Sequence, residues 1–513
     1  MTAPPTGHAA TLPPGFRLRM TARRHGAGLL ESTQRPAVAR VPSQGSLPDG
    51  EVLVVDGPRT AAVAVRLMDL GLAVSDPGPA AAGLPGLEAL TVVVPVRDRP
   101  AGLDRLLTGL SVTAAPDRSA GGPRPSRRPR VLVVDDASSD PAPIREVARR
   151  HGARLLELPV QHGPAGARNA GLRAVRTPFV AFVDSDVTVQ AVTLERLLAE
   201  FADPVLAVAA PRIMRGETEG RPGPLSWYEG HVAPLDLGRR AGLVGPGRPL
   251  TYVPSACWVC RTEALGRGFD GRLRVGEDVD LVWRLAGSGW RVRYVPGLRA
   301  GHGTREDVWR WWRQHAGYGY SSAALARRHP GLLAPARYTA TGLAVAAALA
   351  APWPVLLATV FLAAAQAERR LRLALPGAAD PASGGTAGAP VPLPGLAGTA
   401  RRLARAGLVA NLGQTAQLAT RYWLPVLLLA APRFPAARRL LVRGLVVDAA
   451  LAVHRRAGRG AGLRAGLTAL AALPLRAAED AAFAAGVLGG CLVYRTSAPL
   501  RPQWAGGGRA RRG

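Results

Sequence analysis

Lysine is absent from all 513 residues, so the 65 basic side chains are arginines, set against 36 acidic ones for a net charge of +29. With 60 glycines and 46 prolines as well, this reads as a composition-wide bias more than as one dedicated basic surface. A basic face for an anionic lipid or a phosphorylated substrate fits the charge. Nucleic acid fits it less well: aromatics are scarce, at 5 % of residues, and do not interleave with arginine as a base-stacking surface requires. Cysteine is scarce too, and three of them cannot build a disulfide framework. Cys257 and Cys260 have C-x-x-C spacing, but in an apolar run with no second pair to complete a zinc site. Buried structural thiols are the simpler reading. The amino terminus lacks the continuous apolar core of a signal peptide, so the first part of the chain is expected to stay in the cytoplasm.

What stands out instead is Phe179-Val-Ala-Phe-Val-Asp184-Ser185-Asp186. A β-branched and aromatic run ends in two carboxylates one residue apart, which predicts a buried strand with both acids at its carboxyl end. Ligands of open α/β sheets sit at that end. Two hard oxygen donors there suit Mg²⁺ or Mn²⁺, which in turn can hold a diphosphate. Taken alone, the pair is equally compatible with a solvated acidic turn.

Residues 1–86 read as a small α+β module: a leader (Met1 to Pro14), a strand at Glu51 to Asp56 and a helix from Thr60 to Asp69. From Leu87 strands and helices alternate. Strands are expected at Leu90–Pro95, Val131–Asp135, Arg154–Val160 and Phe179–Val183; helices at Ala101–Leu110, Pro141–His151 and Gly163–Val175. A Gly/Pro/Ser/Arg loop at Pro116–Pro129 interrupts them. This alternation predicts a parallel, doubly wound sheet. Further strands are expected at Val205–Pro211, Tyr252–Arg261 and Arg291–Val295, and helices at Val275–Ala286 and Asp307–Arg328. The expected domain therefore runs over 87–330.

Residues 331–513 differ. No charged residue occurs from Tyr338 to Ala367, a length sufficient to cross a bilayer. Pro352 and Pro354 interrupt the run, leaving a kinked span, a re-entrant segment and a buried helix all open. Shorter apolar pieces recur at Trp423–Ala431 and Ala481–Tyr494, after a loop at Pro376–Gly395. The expectation is a membrane-associated helical region contacting lipid, with the catalytic domain on the cytoplasmic side.

Four polar segments fall at strand ends or helix starts: Val94-Pro95-Val-Arg97-Asp98-Arg99, Asp135-Asp136-Ala-Ser-Ser-Asp140, His162-Gly-Pro-Ala-Gly-Ala-Arg168-Asn169 and Asp184-Ser185-Asp186. In this order the set resembles the family-2 glycosyltransferases, which use nucleotide-sugar donors on a GT-A fold; the resemblance covers roughly Leu87 to Gly303. It implies that Pro95 and Arg97 line the nucleoside pocket, that Asp136 hydrogen-bonds uracil with Asp135 supporting the same turn, and that Arg168 contacts the base. It makes Asp184 and Asp186 the metal motif, Asp186 being the more direct ligand. Gly276-Glu277-Asp278-Val-Asp280 resembles the family's Glu-Asp motif, with Asp278 the base that deprotonates an acceptor hydroxyl and Glu277 beside it. Position alone also allows a dipole-favoured acidic helix start. Trp311 and Trp312 are candidates for stacking on a sugar, for interfacial anchoring or for core packing.

Connecting segments narrow the likeness. Leu225-Ser-Trp-Tyr-Glu229, Tyr252-Val-Pro-Ser-Ala256, Gly276 to Arg284 and Gly317 to Pro330 are similar to the mycofactocin-system glycosyltransferases. That resemblance implies transfer of glucose from UDP-glucose to a peptide-derived redox cofactor as a short β-1,4-linked chain, with inversion at the anomeric carbon. It also suggests that the amino-terminal module recognises the acceptor. The alternatives are a cell-envelope glycan or lipid acceptor, and, in another class, a membrane scaffold with a degenerate transferase domain.

Overall fold

The computed structural model describes residues 4, 11–25, 29–32, 38–40, 52–76, 85–111, 128–218, 223–232, 235–304, 307–374, 396–457 and 462–505. Most of the expected leader, the loop at 116–127 and the connection at 376–395 lie outside the described residues. The chain divides into two compact units, one of residues 1–20 and 47–306, the other of residues 21–46 and 307–513.

The first unit is built on a nine-stranded sheet. Its strands are β1 (Leu90–Val96), β2 (Arg130–Asp135), β3 (Arg154–Glu157), β4 (Phe179–Val183), β5 (Val187–Thr188), β6 (Leu206–Thr218), β7 (Gly242–Val244), β8 (Cys257–Arg261) and β9 (Arg291–Thr304). They are ordered β5-β9-β6-β8-β4-β1-β2-β3, with β7 paired to β9. From β4 to β3 every pairing is parallel, as the strand–helix alternation predicts. Beyond β4 the sheet is mixed: β8 runs antiparallel to both β4 and β6. Between β6 and β8 lie a helix, Pro224–Val232, and the short strand β7, which itself pairs in the sheet, so β8 does not close a simple strand–helix–strand unit and alternation does not give its direction.

Helices α1 (Pro100–Ser111), α2 (Ala142–Arg150), α3 (Gly163–Ala174) and α4 (Ala191–Ala199) follow β1, β2, β3 and β5. In α1 the buried leucines at 103, 106, 107 and 110 recur at helical spacing. They meet Val92, Val94, Val133, Ala181 and Val183 in the main core. Cys257 and Cys260 are free thiols buried in β8. Burial, and then the charge of Asp184, push Cys257 up to about 12, so it stays an inert apolar side chain.

In the same unit Arg17–Met20 pairs antiparallel with Val52–Val54 and Ala73–Ser75, and helix Pro58–Leu70 buries Ala61, Ala64, Leu67 and Met68. Arg293 of β9 binds Glu200 at 2.8 Å and Asp203 at 2.7 Å, and reaches Met68 Sδ at 3.7 Å. Arg248 meets Asp69 at 3.2 Å. These contacts seat the small sheet and its helix on the β7–β9 side.

The second unit is helical: α6 (Val308–Arg328), α7 (Ala340–Ala348), α8 (Trp353–Ala374), α9 (Leu396–Gln417), α10 (Leu424–Ala430), α11 (Pro435–Ala457) and α12 (Gly462–Val493); α5 (Glu277–Gly287) belongs to the first unit. A five-residue π turn, Leu418–Tyr422, follows α9. Three strands, Ala22–His25, Leu29–Ser32 and Val38–Arg40, form an antiparallel ribbon. Its buried Glu31 accepts from Thr399 at 2.7 Å and from Arg402 at 2.7–3.0 Å, both on α9.

Among the described residues no helix is long and apolar enough to cross a membrane. The expected membrane location, with its lipid contact, is corrected here. The uncharged run from Tyr338 to Ala367 is broken into Arg337–Tyr338, which pairs with Gln503–Trp504, then α7, then α8 beginning after Pro352. The last turns of α8 carry Glu368, Arg369, Arg370 and Arg372. Ala348, Leu349 and Leu356 bury against Val360, Leu412 and Leu440, so the run folds back on its own unit. Alanine supplies length without charge, but little apolar surface per residue. Trp423–Ala431 becomes the short α10, and Ala481–Tyr494 the end of α12, whose middle holds Arg476, Glu479 and Asp480.

Candidate active site

The carboxyl ends of β1, β2 and β4 bring three turns together. Asp136 N–H donates to Val96 O at 2.9 Å, Asp98 N–H to Ser138 Oγ at 2.9 Å and Ser139 N–H to Asp98 Oδ1 at 2.7 Å. Asp98 and Ala137 adopt left-handed φ values of 54° and 56°, a conformation such cross-links can hold. Asp135 and Asp136 are both buried. Asp135 Oδ1 accepts from Ser138 N and Oγ at 3.1 and 2.5 Å. Asp136 accepts from His162 N at 2.7 Å and Gly163 N at 2.8 Å, covering the first amides of α3. Pro95 is half-buried and Arg97 exposed, its Nε 3.5 Å from Asp98.

Helix α3 carries Arg168 inward. The guanidinium donates to Asp184 Oδ1 at 2.6 Å and to Glu277 Oε1 at 3.0 Å, and lies 5.4 Å from the centre of the Phe269 ring. Its side chain is 3 % exposed. Burial works against the charge, but Asp184 and Glu277 outweigh it and hold the group above its usual range. Two of the nitrogens expected to contact a base are thus engaged by carboxylates. Asn169, next in α3, exchanges two hydrogen bonds with the main chain of Phe269 (2.7 and 2.9 Å), fixing the ring beneath Arg168.

Asp184 and Asp186 leave β4 on either side of the buried Ser185. Helix α1 passes close by: a Cβ on Gly102 would stand 2.7 Å from Ser185 O, so only glycine fits without a shift. Burial raises the Asp184 pKa, Arg168 pulls it back, and the charge of Asp186 raises it further; the net direction is up. Asp186 pairs through Oδ2 with Arg99 Nη1. Its Oδ1 is 3.6 Å from Nε2 of His302, which sits on β9 opposite Val187 of β5.

Helix α5 begins after Gly276, whose φ of 82° is left-handed. Glu277 is buried and pushed up to about 7, first by burial and then by the Asp278 charge, against the pull of Arg168. Asp278 Oδ1 accepts from Val279 N at 2.8 Å and Oδ2 from Ser255 N at 3.4 Å. Its pKa is also raised, chiefly by burial, with those two amides pulling down. One buried arginine therefore ties the Asp184 motif to the Glu277-Asp278 motif.

Residues 91–269 match the family model described as glycosyl transferase family 2. Over 514 residues the chain is 34 % identical to the pre-mycofactocin glycosyltransferase of Mycobacterium tuberculosis (strain ATCC 25618 / H37Rv), covering 96 % of this chain and 99 % of that protein. The chain belongs to glycosyltransferase family 2.

This glycosyltransferase also matches the succinoglycan biosynthesis protein ExoO of Rhizobium meliloti (strain 1021), at 44 % identity over 69 residues, 13 % of this chain and 20 % of that one. Among solved structures, the mannosyltransferase PcManGT from Pyrobaculum calidifontis, in complex with GDP-Man and Mn²⁺, covers 78 % of this chain and 86 % of its own at 19 % identity and a TM-score of 0.39. Membership of family 2 and the mixed α/β sheet, parallel from β4 to β3, agree with the GT-A fold expected from the motifs.

The residues fit a divalent cation chemically. Asp184 and Asp186 offer hard oxygens and His302 an imidazole nitrogen. Among the described residues no group of three or more acid, histidine or cysteine side chains forms a ready-made metal cluster. Mg²⁺ is commonly held in just this way, by one or two carboxylates with water and phosphate completing its shell. Both aspartates already face a guanidinium, so positive charge is what the site demands. Trp311 and Trp312 belong to the second unit, on α6. Trp311 is buried with its ring 4.7 Å from that of His315, while Trp312 is half-buried. Arg99 and Asn169 lie inside the polar segments without a local pattern that gives them a role, and His302 lies outside those segments. Each meets its partner across 87 to 116 residues, and only the Gly-His-Gly setting of His302, just past an expected strand, offered a local cue.

Proposed function

We propose that this glycosyltransferase moves glucose from UDP-glucose to the peptide-derived redox cofactor mycofactocin, inverting the anomeric centre. The observation that carries the reading is the Arg168 bridge, which joins a carboxylate pair suited to a diphosphate-bound cation to a pair suited to proton abstraction. Similarity along nearly the whole of the pre-mycofactocin glycosyltransferase supports the acceptor.

Asp184 and Asp186 would hold Mg²⁺ or Mn²⁺, which when bound supplies positive charge to the leaving diphosphate. Asp278 is the base. Its raised pKa makes it a better proton acceptor than an exposed aspartate, and its two amide contacts aim the carboxylate. The acceptor oxygen forms its bond to the anomeric carbon opposite the diphosphate, the carbon–oxygen bond to the diphosphate breaks, and the hydroxyl proton passes to Asp278. Pro95, Arg97, Asp135 and Asp136 line the nucleoside side in this reading, and Arg168 positions Asp184 and Glu277. The amino-terminal module 1–86, whose segment 52–76 is seated beside β9, would recognise the acceptor.

Incubation of the full chain with a panel of UDP-sugars, Mn²⁺ and either the peptide-derived acceptor or envelope glycan acceptors, followed by product mass, tests the reading. A hexose added to the peptide-derived acceptor is expected. Transfer confined to a glycan or lipid would overturn the acceptor, and transfer retained in Asp186→Ala would overturn the metal motif.

A further inference from the structure

Each aspartate of the metal motif carries an arginine, but the two arginines are built differently. Arg168 is 3 % exposed, doubly paired and stacked on Phe269, so it is locked in place. Arg99 is 33 % exposed. Its main chain is fixed, because Arg99 O accepts from Leu103 N at 3.1 Å in the first turn of α1, and the neighbouring Asp98 is pinned to Ser138 and Ser139. Its side chain is long, rotatable and held at its tip by Asp186 Oδ2. The same oxygen is one that a divalent cation would take.

We propose that Arg99 is a diphosphate ligand held in reserve on Asp186: it neutralises that carboxylate before the donor arrives and passes to the phosphates when a cation claims it. The inference rests on the metal reading above. A guanidinium and a divalent cation compete for one oxygen, so the cation alone binds against Arg99. When cation and nucleoside diphosphate enter together, the released guanidinium finds phosphate oxygens, which its planar fork fits in a bidentate manner. Cation and diphosphate therefore favour each other's binding, and the coupling is reciprocal. Arg99 is the residue through which it acts.

The test uses the full chain and two titrations: free Mn²⁺ followed by electron paramagnetic resonance without nucleotide, and UDP binding at saturating Mn²⁺ by calorimetry. Arg99→Gln should bind Mn²⁺ alone about fivefold more tightly and UDP about tenfold more weakly. Arg99→Lys keeps the charge without the fork, so it should leave Mn²⁺ binding near wild type while weakening UDP; it also decides the matter if Arg99→Gln fails to fold. Unchanged or weaker Mn²⁺ binding in Arg99→Gln would overturn the proposal. Asp186→Asn separates the two readings. If it loses Mn²⁺ while the Arg99 variants match wild type, only the Arg99 assignment fails. If it binds Mn²⁺ as wild type does, the metal motif fails and Arg99 with it.

Discussion

The Arg168 guanidinium and the Glu277 carboxylate meet at 3.0 Å inside the protein, from helices 109 residues apart in sequence. Removing the arginine leaves the buried Glu277 and the half-buried Asp184 without their shared cation. Arg168→Met should lower stability by about 3–5 kcal/mol in denaturant unfolding, the cost of breaking a buried pair. Arg168→Met with Glu277→Met should recover part of that loss, since an apolar pair of similar volume is often tolerated. No recovery would mean that Asp184 alone sets the cost.

Asp278→Asn keeps the shape of the carboxylate and removes its ability to take a proton. Turnover should fall by about 10²–10⁴, with UDP affinity unchanged. Steady-state kinetics beside UDP calorimetry checks this; a parallel loss of UDP affinity would make Asp278 a donor-site residue instead.

The approach of α1 to the Asp184–Asp186 turn, the proposed metal site, predicts opposite outcomes at two glycines. Gly102→Ala must displace either the helix or Ser185 O, and should cost about 1–3 kcal/mol while weakening Mn²⁺ binding. Gly407, exposed on α9, has open space where a Cβ would go, so Gly407→Ala should stabilise by up to about 1 kcal/mol. Thermal unfolding of the two variants distinguishes them.

His315 sets a pH dependence in the second unit. Burial pushes it down to about 4 from an ordinary 6.5; Glu479 pulls upward, while Arg421 and Arg476 push down further. Trp311 and Tyr318 flank the ring. Between pH 6.5 and 4 the unfolded chain binds the extra proton, so the stability due to the neutral imidazole is complete above 6.5 and is lost as pH falls. At pH 5 the loss should be on the order of 2 kcal/mol. His315→Gln should flatten that part of the profile relative to wild type; parallel profiles would refute it.

The parallel half of the sheet was legible because each strand is a short β-branched run followed by an amphipathic helix, as in Leu90–Val96 and the leucines of α1. The reversed direction of β8 was not, since pairing direction is decided by the neighbours a strand finds. Asp184, Asp186 and Asp278 stood out as local clusters of acid at element ends. Arg99 and His302 did not, because a lone arginine in an arginine-rich chain and a lone histidine have no local pattern. The uncharged run at Tyr338–Ala367 misleads because absence of charge imitates a span, whereas Pro352 divides the run and alanine adds little apolar surface.

The attachment of Glu31 to Arg402 has a consequence for synthesis. The ribbon at Ala22–Arg40 emerges early, yet its partner on α9 lies 371 residues downstream. At ~5–20 residues per second, the nascent ribbon waits roughly 20–70 s for that helix, with strand edges open to wrong partners. Chains cut before α9 would never supply the partner, so aggregation of such truncations, and its relief by holding chaperones, is where this early-made, late-docked piece would declare itself.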